Sequence, residues 1–187
     1  KEIEDPNSAS MDFESGSSQY AYTVDTADLS IQDSFTIEAW IKVETDPADG
    51  VYYAIAGKHK TSPSTQGNWH FDYGDSGPND LLQLQLFRNA PDCNSNEDAT
   101  YNVVLTAGTW YHVAVSRVGA TVLFYVNGTQ YSPSTNSIQG GNTCDTNHDI
   151  TVGAIGRGGG SIVYYMDGLM DDVRIWSDIR TATEISD

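Results

Sequence analysis

Two short stretches concentrate the oxygen-bearing side chains of this 187-residue chain. In "APDCNSNEDATY" the residues Asp92, Asn94, Asn96 and Asp98 fall at every second position around Cys93. In "GNTCDTNHDIT" the residues Asp145, Asn147 and Asp149 follow Cys144 in the same rhythm. Alternating carboxylates and amides suit a hard divalent cation, because calcium gathers about six to eight oxygen ligands. The first run is not an EF-hand: Glu97 stands where that loop needs glycine, and no helical pattern flanks it. Candidate calcium ligands are therefore Asp92, Asn94, Asn96, Asp98, Asp145 and Asp149. Asn and Asp are also ordinary turn residues, and two solvated turns would use them equally well.

Cys93 and Cys144 are the only cysteines, in no CxxC pair and at no zinc-like spacing with histidine. Both lie in polar, turn-rich stretches, whereas a free cysteine prefers burial. We read them as a Cys93–Cys144 disulfide, with the extracellular setting that this implies. Such a bridge would clamp the two oxygen-rich loops to one rim of the fold and preorganise it for a ligand.

Catalytic chemistry finds little support. The histidines His59, His70, His112 and His148 stand near no recognisable nucleophile motif. His112, in "WYHVAV", reads as a packed structural residue, while His70 could face either water or a ligand pocket. A retaining glycosidase needs two carboxyl groups about 5 Å apart. Glu2 and Glu4 alternate but precede Pro6, and the adjacent Asp171 and Asp172 would point to opposite faces of a strand. Asp12 and Glu14 share a face near the terminus and suit a structural or cation-binding role. No enzyme activity is expected, and a glycoside hydrolase is the less favoured reading.

Composition narrows the partners. With 26 acidic against 9 basic residues the net charge is −17 and the pI is near 4.2, which repels phosphate backbones and anionic lipid. No apolar run is long enough for membrane insertion. The length suits one domain. Starting at Lys1 and running out at "TATEISD", the chain is expected to be a domain excised from a longer protein, with neighbouring domains as partners.

The elements that must position these residues have period two. In "SFTIEAWIKV" Phe35, Ile37, Ala39, Ile41 and Val43 share one face; "WHFDY", "LLQLQLF", "WYHVAVSR", "TVLFYVNG", "DITVGAIG", "SIVYYMDG" and "LMDDVRIW" continue the pattern. Many short strands between Gly/Ser/Asn/Asp loops predict an all-β, two-sheet antiparallel β-sandwich, each sheet packed on one side and wetted on the other. A short helical turn is expected at "TATEI". Loops at 44–50, 58–68, 74–80, 88–100, 131–149 and 156–161 are the expected binding regions. Sugars are held by aromatic stacking and by amide, carboxylate and guanidinium hydrogen bonds. Trp69, Gln83, Gln85, Arg88, Asn142, Arg157 and Tyr164 are the candidates for that role.

"SFTIEAWIKV", "AIAGKHK", "GTWYHVAVSR", "LFYVNGTQ", "ITVGAIGR" and "MDGLMDDVRIW", in that order, resemble the motif string of LamG-like jelly-roll domains of the concanavalin A-like lectin/glucanase superfamily, near laminin-G and pentraxin domains. The resemblance implies an N-terminal extension over 1–10 and a single jelly roll over 11–185. It implies a non-catalytic, often calcium-loaded lectin-like module of a secreted or cell-surface protein. It adds a cation site where the first and last strands meet, at Asp12, Asp171 and Asp172. The expected function is a carbohydrate-binding or adhesive module, its partner a glycan or a cell-surface protein. The alternative is a laminin-G-type protein–protein adhesion domain without sugar specificity.

Overall fold

The computed structural model describes residues 9–59, 67–88, 93, 95–157 and 161–186. Its strands are β1 (Met11–Phe13), β2 (Ala21–Thr23), β3 (Ser34–Val43), β4 (Tyr52–Lys58), β5 (Trp69–Asp75), β6 (Asp80–Arg88), β7 (Ser95–Asn102) and β8 (Tyr111–Val118). They continue as β9 (Thr121–Val126), β10 (Thr129–Tyr131), β11 (Thr135–Asn136), β12 (Ile150–Val152), β13 (Ile155–Arg157), β14 (Ser161–Val163) and β15 (Gly168–Trp176), before the helical turn α1 (Ala182–Ser186). A six-stranded sheet, ordered β1-β15-β3-β8-β9-β10, faces a seven-stranded sheet, ordered β11-β7-β6-β5-β4-β12-β2. The hairpin β13–β14 forms a third, two-stranded sheet. All the paired strands are antiparallel, as the alternation predicts.

The inner faces make one core. Phe35, Ile37 and Ile41 of β3 meet Trp69, Phe71, Tyr73, Leu82 and Leu84 of the facing sheet, all buried. At the Asn127-Gly128 step both residues take positive φ, 49° and 72°, the twist that joins β9 to β10 in a tight hairpin.

The outer faces depart from the expected wet surface. Thr36, Glu38 and Trp40 are buried: the chain after β15 folds back over Thr36; Trp176 and Arg174 of β15 lie over Glu38; and the His112 ring lies 5.4 Å from that of Trp40. Thr36 Oγ1 donates to the Asp178 carbonyl at 3.0 Å and accepts from the Arg180 amide at 2.9 Å. Ile185 of α1 packs on Ala114 and Tyr125. The turn is held by a reciprocal cap: Glu184 Oε2 accepts the Thr181 amide at 2.8 Å, and Thr181 Oγ1 accepts the Glu184 amide at 3.3 Å. A polar cluster lies beneath this cover. Glu38 accepts from the Trp176 indole at 2.8 Å and sits 3.7 Å from Arg174 and 3.5 Å from His112. Burial, and secondarily Arg174, lowers the His112 pKa to about 4. At neutral pH the His112–Glu38 contact is therefore not an ion pair.

Two local expectations are corrected. Residues 88–100 are not a loop throughout, because β7 begins at Ser95 and pairs with β6. Asp171 and Asp172 do not point to opposite faces. A bulge between Asp171 and Arg174, with Asp172 at φ 47°, inserts one extra residue between the core-packed Met170 and Val173. Asp171 is in register with the outward Trp40, and Asp172 pairs with Arg174 at 2.9 Å on the same outer side.

Candidate functional site

The seven-stranded sheet carries a polar outer face. Across β4, β5, β6 and β7, Gly57, His70, Gln85 and Asp98 align in one row, and Ala54, Asp72, Gln83 and Thr100 in the next. His70 is buried between neighbours: Nδ1 bonds the carboxylate of Asp72, and Nε2 lies 2.9 Å from Gln85 Oε1. With both ring nitrogens engaged, the imidazole is a rigid member of the sheet. Neither the wet face nor the open pocket expected for it is realised.

Over this face lies the β13–β14 hairpin. Gly57 permits the approach, since a Cβ there would stand 2.6 Å from Ile155 Cγ2 and 3.0 Å from His70 Cβ. The Ala54 amide donates to the Tyr164 carbonyl at 2.8 Å and fixes the hairpin's return. Tyr164 has φ 59°, a left-handed conformation that costs a bulky residue about 1–3 kcal/mol. Its ring lies 5.3 Å from that of Tyr52, which in turn covers Gly74.

Two clefts flank the hairpin. The first, about 390 Å³, is lined by Tyr20 and Tyr22 with His59, Asn147, His148 and Asp149. The second, about 350 Å³, is lined chiefly by Tyr52, Tyr53, Tyr164 and Tyr165. Tyr20 and Tyr22 stand on or beside the edge strand β2 and are 40% and 65% exposed. Beside the first cleft Lys58 is fully buried, 2.7 Å from Asp25 and 3.6 Å from Asp145, and ties the 25–30 loop to the 144–149 segment.

The disulfide joins Cys93 to Cys144, Cα–Cα 5.9 Å. With Phe87 the two cysteines form a small apolar cluster, and the Cys144 amide donates to the Phe87 carbonyl at 3.0 Å. The bridge therefore anchors the segment that enters the first cleft at Asn147. Next to it, Arg88 and Arg117 come from opposite sheets and converge on one loop. Arg88 donates to the carbonyls of Gln139, Gly140 and Gly141 and pairs with Glu97 at 2.8 Å. Arg117 donates to the carbonyls of Gln32, Gln139 and Gly141. Burial, with Arg88 alongside, pulls the Arg117 pKa down to about 10.

A laminin-G-type model of the concanavalin A-like lectin/glucanases superfamily matches residues 15–186. The chain belongs to this superfamily. Among solved structures, the chain is similar to the CBM40 module of Ruminococcus gnavus IT-sialidase bound to α2,3-sialyllactose. That match has a TM-score of 0.69 at 11% identity and covers 95% of this chain and 94% of that one. A candidate carbohydrate-binding protein from Bacteroides ovatus matches with a TM-score of 0.58 at 24% identity, over 89% of this chain and 43% of that one. The binding domain of botulinum neurotoxin DC in complex with rat synaptotagmin II gives 0.60 at 15%, over 89% and 38%. At these identities the likeness speaks for the fold. No curated protein matches the sequence.

Within this concanavalin A-like frame the expected sugar readers scatter. Trp69 is 0% exposed in the core and presents nothing to a ligand. Arg88 is committed to its loop, Gln85 to His70, and Asn142 is exposed beyond the arginine clamp. Gln83 is half-buried on the polar face, and Tyr164 lines the second cleft. The side chain of Arg157 lies outside the described residues.

The expected calcium ligands scatter too. Asn96 and Asp98 are strand residues whose alternation is that of β7, and Ser137 Oγ donates to Asp98. Asp145 faces Lys58, Asp149 lines the first cleft, and Asp172 is paired with Arg174. Asp12 is exposed on β1, in register with Leu169. Asp92 and Asn94 lie outside the described residues. Among the described residues, no three His, Cys, Asp or Glu side chains cluster as metal ligands.

Sequence reasoning missed Tyr20, Tyr22, His59, His148 and Tyr165 as site residues. The available signal was the alternation in "YAYTV", which puts Tyr20, Tyr22 and Val24 on one side of a short strand and only the small Ala21 on the core side.

Proposed function

We propose that this chain is a secreted, non-catalytic glycan-binding module and that the first cleft takes the sugar. The observation that carries the reading is the composition of that cleft. Exposed phenol rings of Tyr20 and Tyr22 stand beside an amide, two imidazoles and a carboxylate, all in a concave site. The C–H face of a pyranose stacks on such rings, and its hydroxyls bond the polar groups. Asp149 is the one carboxylate among the described residues lining either cleft, which leaves a two-carboxylate hydrolysis mechanism without its second member there. The disulfide supports the extracellular setting.

A glycan array probed with the protein and with Tyr22→Ala tests this. Binding should appear on the array, be competed by free sugar, and fall at least about tenfold in the variant. Binding that Tyr22→Ala leaves intact would move the site elsewhere. A blank array together with a protein captured by pull-down would replace the reading with laminin-G-type adhesion.

A further inference from the structure

We propose that the two clefts are one groove, and that its occupant is a linear, uncharged oligosaccharide contacted along several units instead of a single terminal sugar. The inference rests on the glycan-binding reading above and goes beyond it by naming the class of glycan.

The bridge between the clefts is aromatic. Tyr20 of the first cleft lies 6.3 Å from Tyr22 and 6.4 Å from Tyr165 of the second, with the rings tilted by 40° and 52°. Beyond Tyr165, the neighbouring Tyr164 ring meets Tyr52. The contacts Tyr22–Tyr20–Tyr165 thus form a row that links the linings of the two clefts. A terminal sugar needs one pocket; a row of ring faces is useful only to a ligand with several stacking faces of its own.

The Tyr164–Tyr52 pair at the second-cleft end of the row is held in place. Tyr164 keeps its positive φ, and Tyr52 is seated over Gly74, where a Cβ would come within 2.4 Å of the Tyr52 ring. The buried pair of His70 and Asp72 backs Tyr164, whose ring is 6.5 Å from that of His70. Rings fixed before binding lose little freedom when a ligand arrives.

Charge selects the class. Neither cleft has a lysine or arginine among its described lining residues, and Asp149 lies in the first. Lys58, next in sequence to the lining residue His59, is fully buried and faces Asp25 and Asp145. A sialylated or uronic-acid chain would bring carboxylates to a wall whose described residues include no lysine or arginine, on a chain of net charge −17. A neutral chain meets no such penalty.

Isothermal titration of the protein against β-1,4-linked gluco-, xylo- and manno-oligosaccharides of two to six units, with sialyllactose and oligogalacturonate alongside, tests the proposal. For the sugar that binds, Kd should fall about tenfold or more from the disaccharide to the pentasaccharide, and the acidic ligands should bind more weakly. Tyr165→Ala should remove that length dependence and Tyr165→Phe should keep it, with unchanged circular dichroism showing that both variants fold. A Kd independent of length would overturn the groove while leaving the glycan-binding reading standing. Tighter binding of the acidic sugars would overturn the class. Absence of any sugar binding, here and on the array, would overturn the reading and this inference together.

Discussion

Replacing both cysteines, Cys93→Ser with Cys144→Ser, should lower the melting temperature by about 8–16 °C. The bridge closes a loop with a sequence separation of 51. In the chain-entropy model a loop of that size stabilises by about 4 kcal/mol, by narrowing the unfolded ensemble. For a domain of this length each kcal/mol moves Tm by about 2–4 °C. Folded-state losses are small by comparison, because the Cys144 amide keeps its bond to Phe87 and the arginine clamp on the 139–141 carbonyls stays in place. Differential scanning calorimetry of the wild type, the double variant and the reduced wild type measures the shift directly. Reduced protein and double variant should agree within a few degrees. A shift below about 3 °C would refute the reasoning, showing that the bridge does not narrow the unfolded ensemble as the chain-entropy model requires.

Three further outcomes are expected. His112 should titrate near pH 4 by NMR; its folded pKa lies below the unfolded value, so the unfolded chain binds more protons between them. Its contribution to stability is thus whole above about pH 6.5 and falls, by about 3 kcal/mol in all, as pH drops towards 4, whereas His112→Phe should flatten that part of the pH–stability curve. Gly57→Ala should destabilise by about 1–3 kcal/mol and displace β13–β14, because its methyl would press on Ile155 and His70; wild-type urea midpoints would contradict the close contact. Calcium remains a proposal from charge and family. Millimolar calcium should raise Tm more than magnesium does, and identical curves with calcium and with chelator would remove it.

The core was legible because alternation is a local property. Phe35, Ile37 and Ile41 announce a buried face within ten residues, and the facing strands do the same. What covers the outer faces was not legible, since it depends on chain distant in sequence. Thr36 is covered by residues more than a hundred positions away, and the polar row of His70 by the strands β13 and β14. Trp69 illustrates the ambiguity of an aromatic residue: alternation placed it with Phe71 and Tyr73, and that company belonged to the core. The run from Asp92 to Asp98 shows a related limit, because period two describes a strand as well as it describes a calcium loop. The disulfide was legible from chemistry instead, from two cysteines in polar stretches of sequence, although the bridge itself is buried against Phe87.

The pairing of β1 with β15 has a mechanical consequence. Met11 is opposite Met170 and Phe13 opposite Gly168, so the start of β1 and the end of β15 lie towards the same end of the pair. β15 leaves its other neighbour, β3, from the Trp176–Thr36 end in the same direction. Tension applied through the two ends of the chain would first lift the segment carrying α1 from the sheet, then open these ladders like a zipper. Hydrogen bonds perpendicular to the strands would be loaded one after another and not sheared together. Under stretch the fold would yield from its outer seam inwards at low force, while the disulfide and the arginine clamp keep the 139–144 segment tied to both sheets.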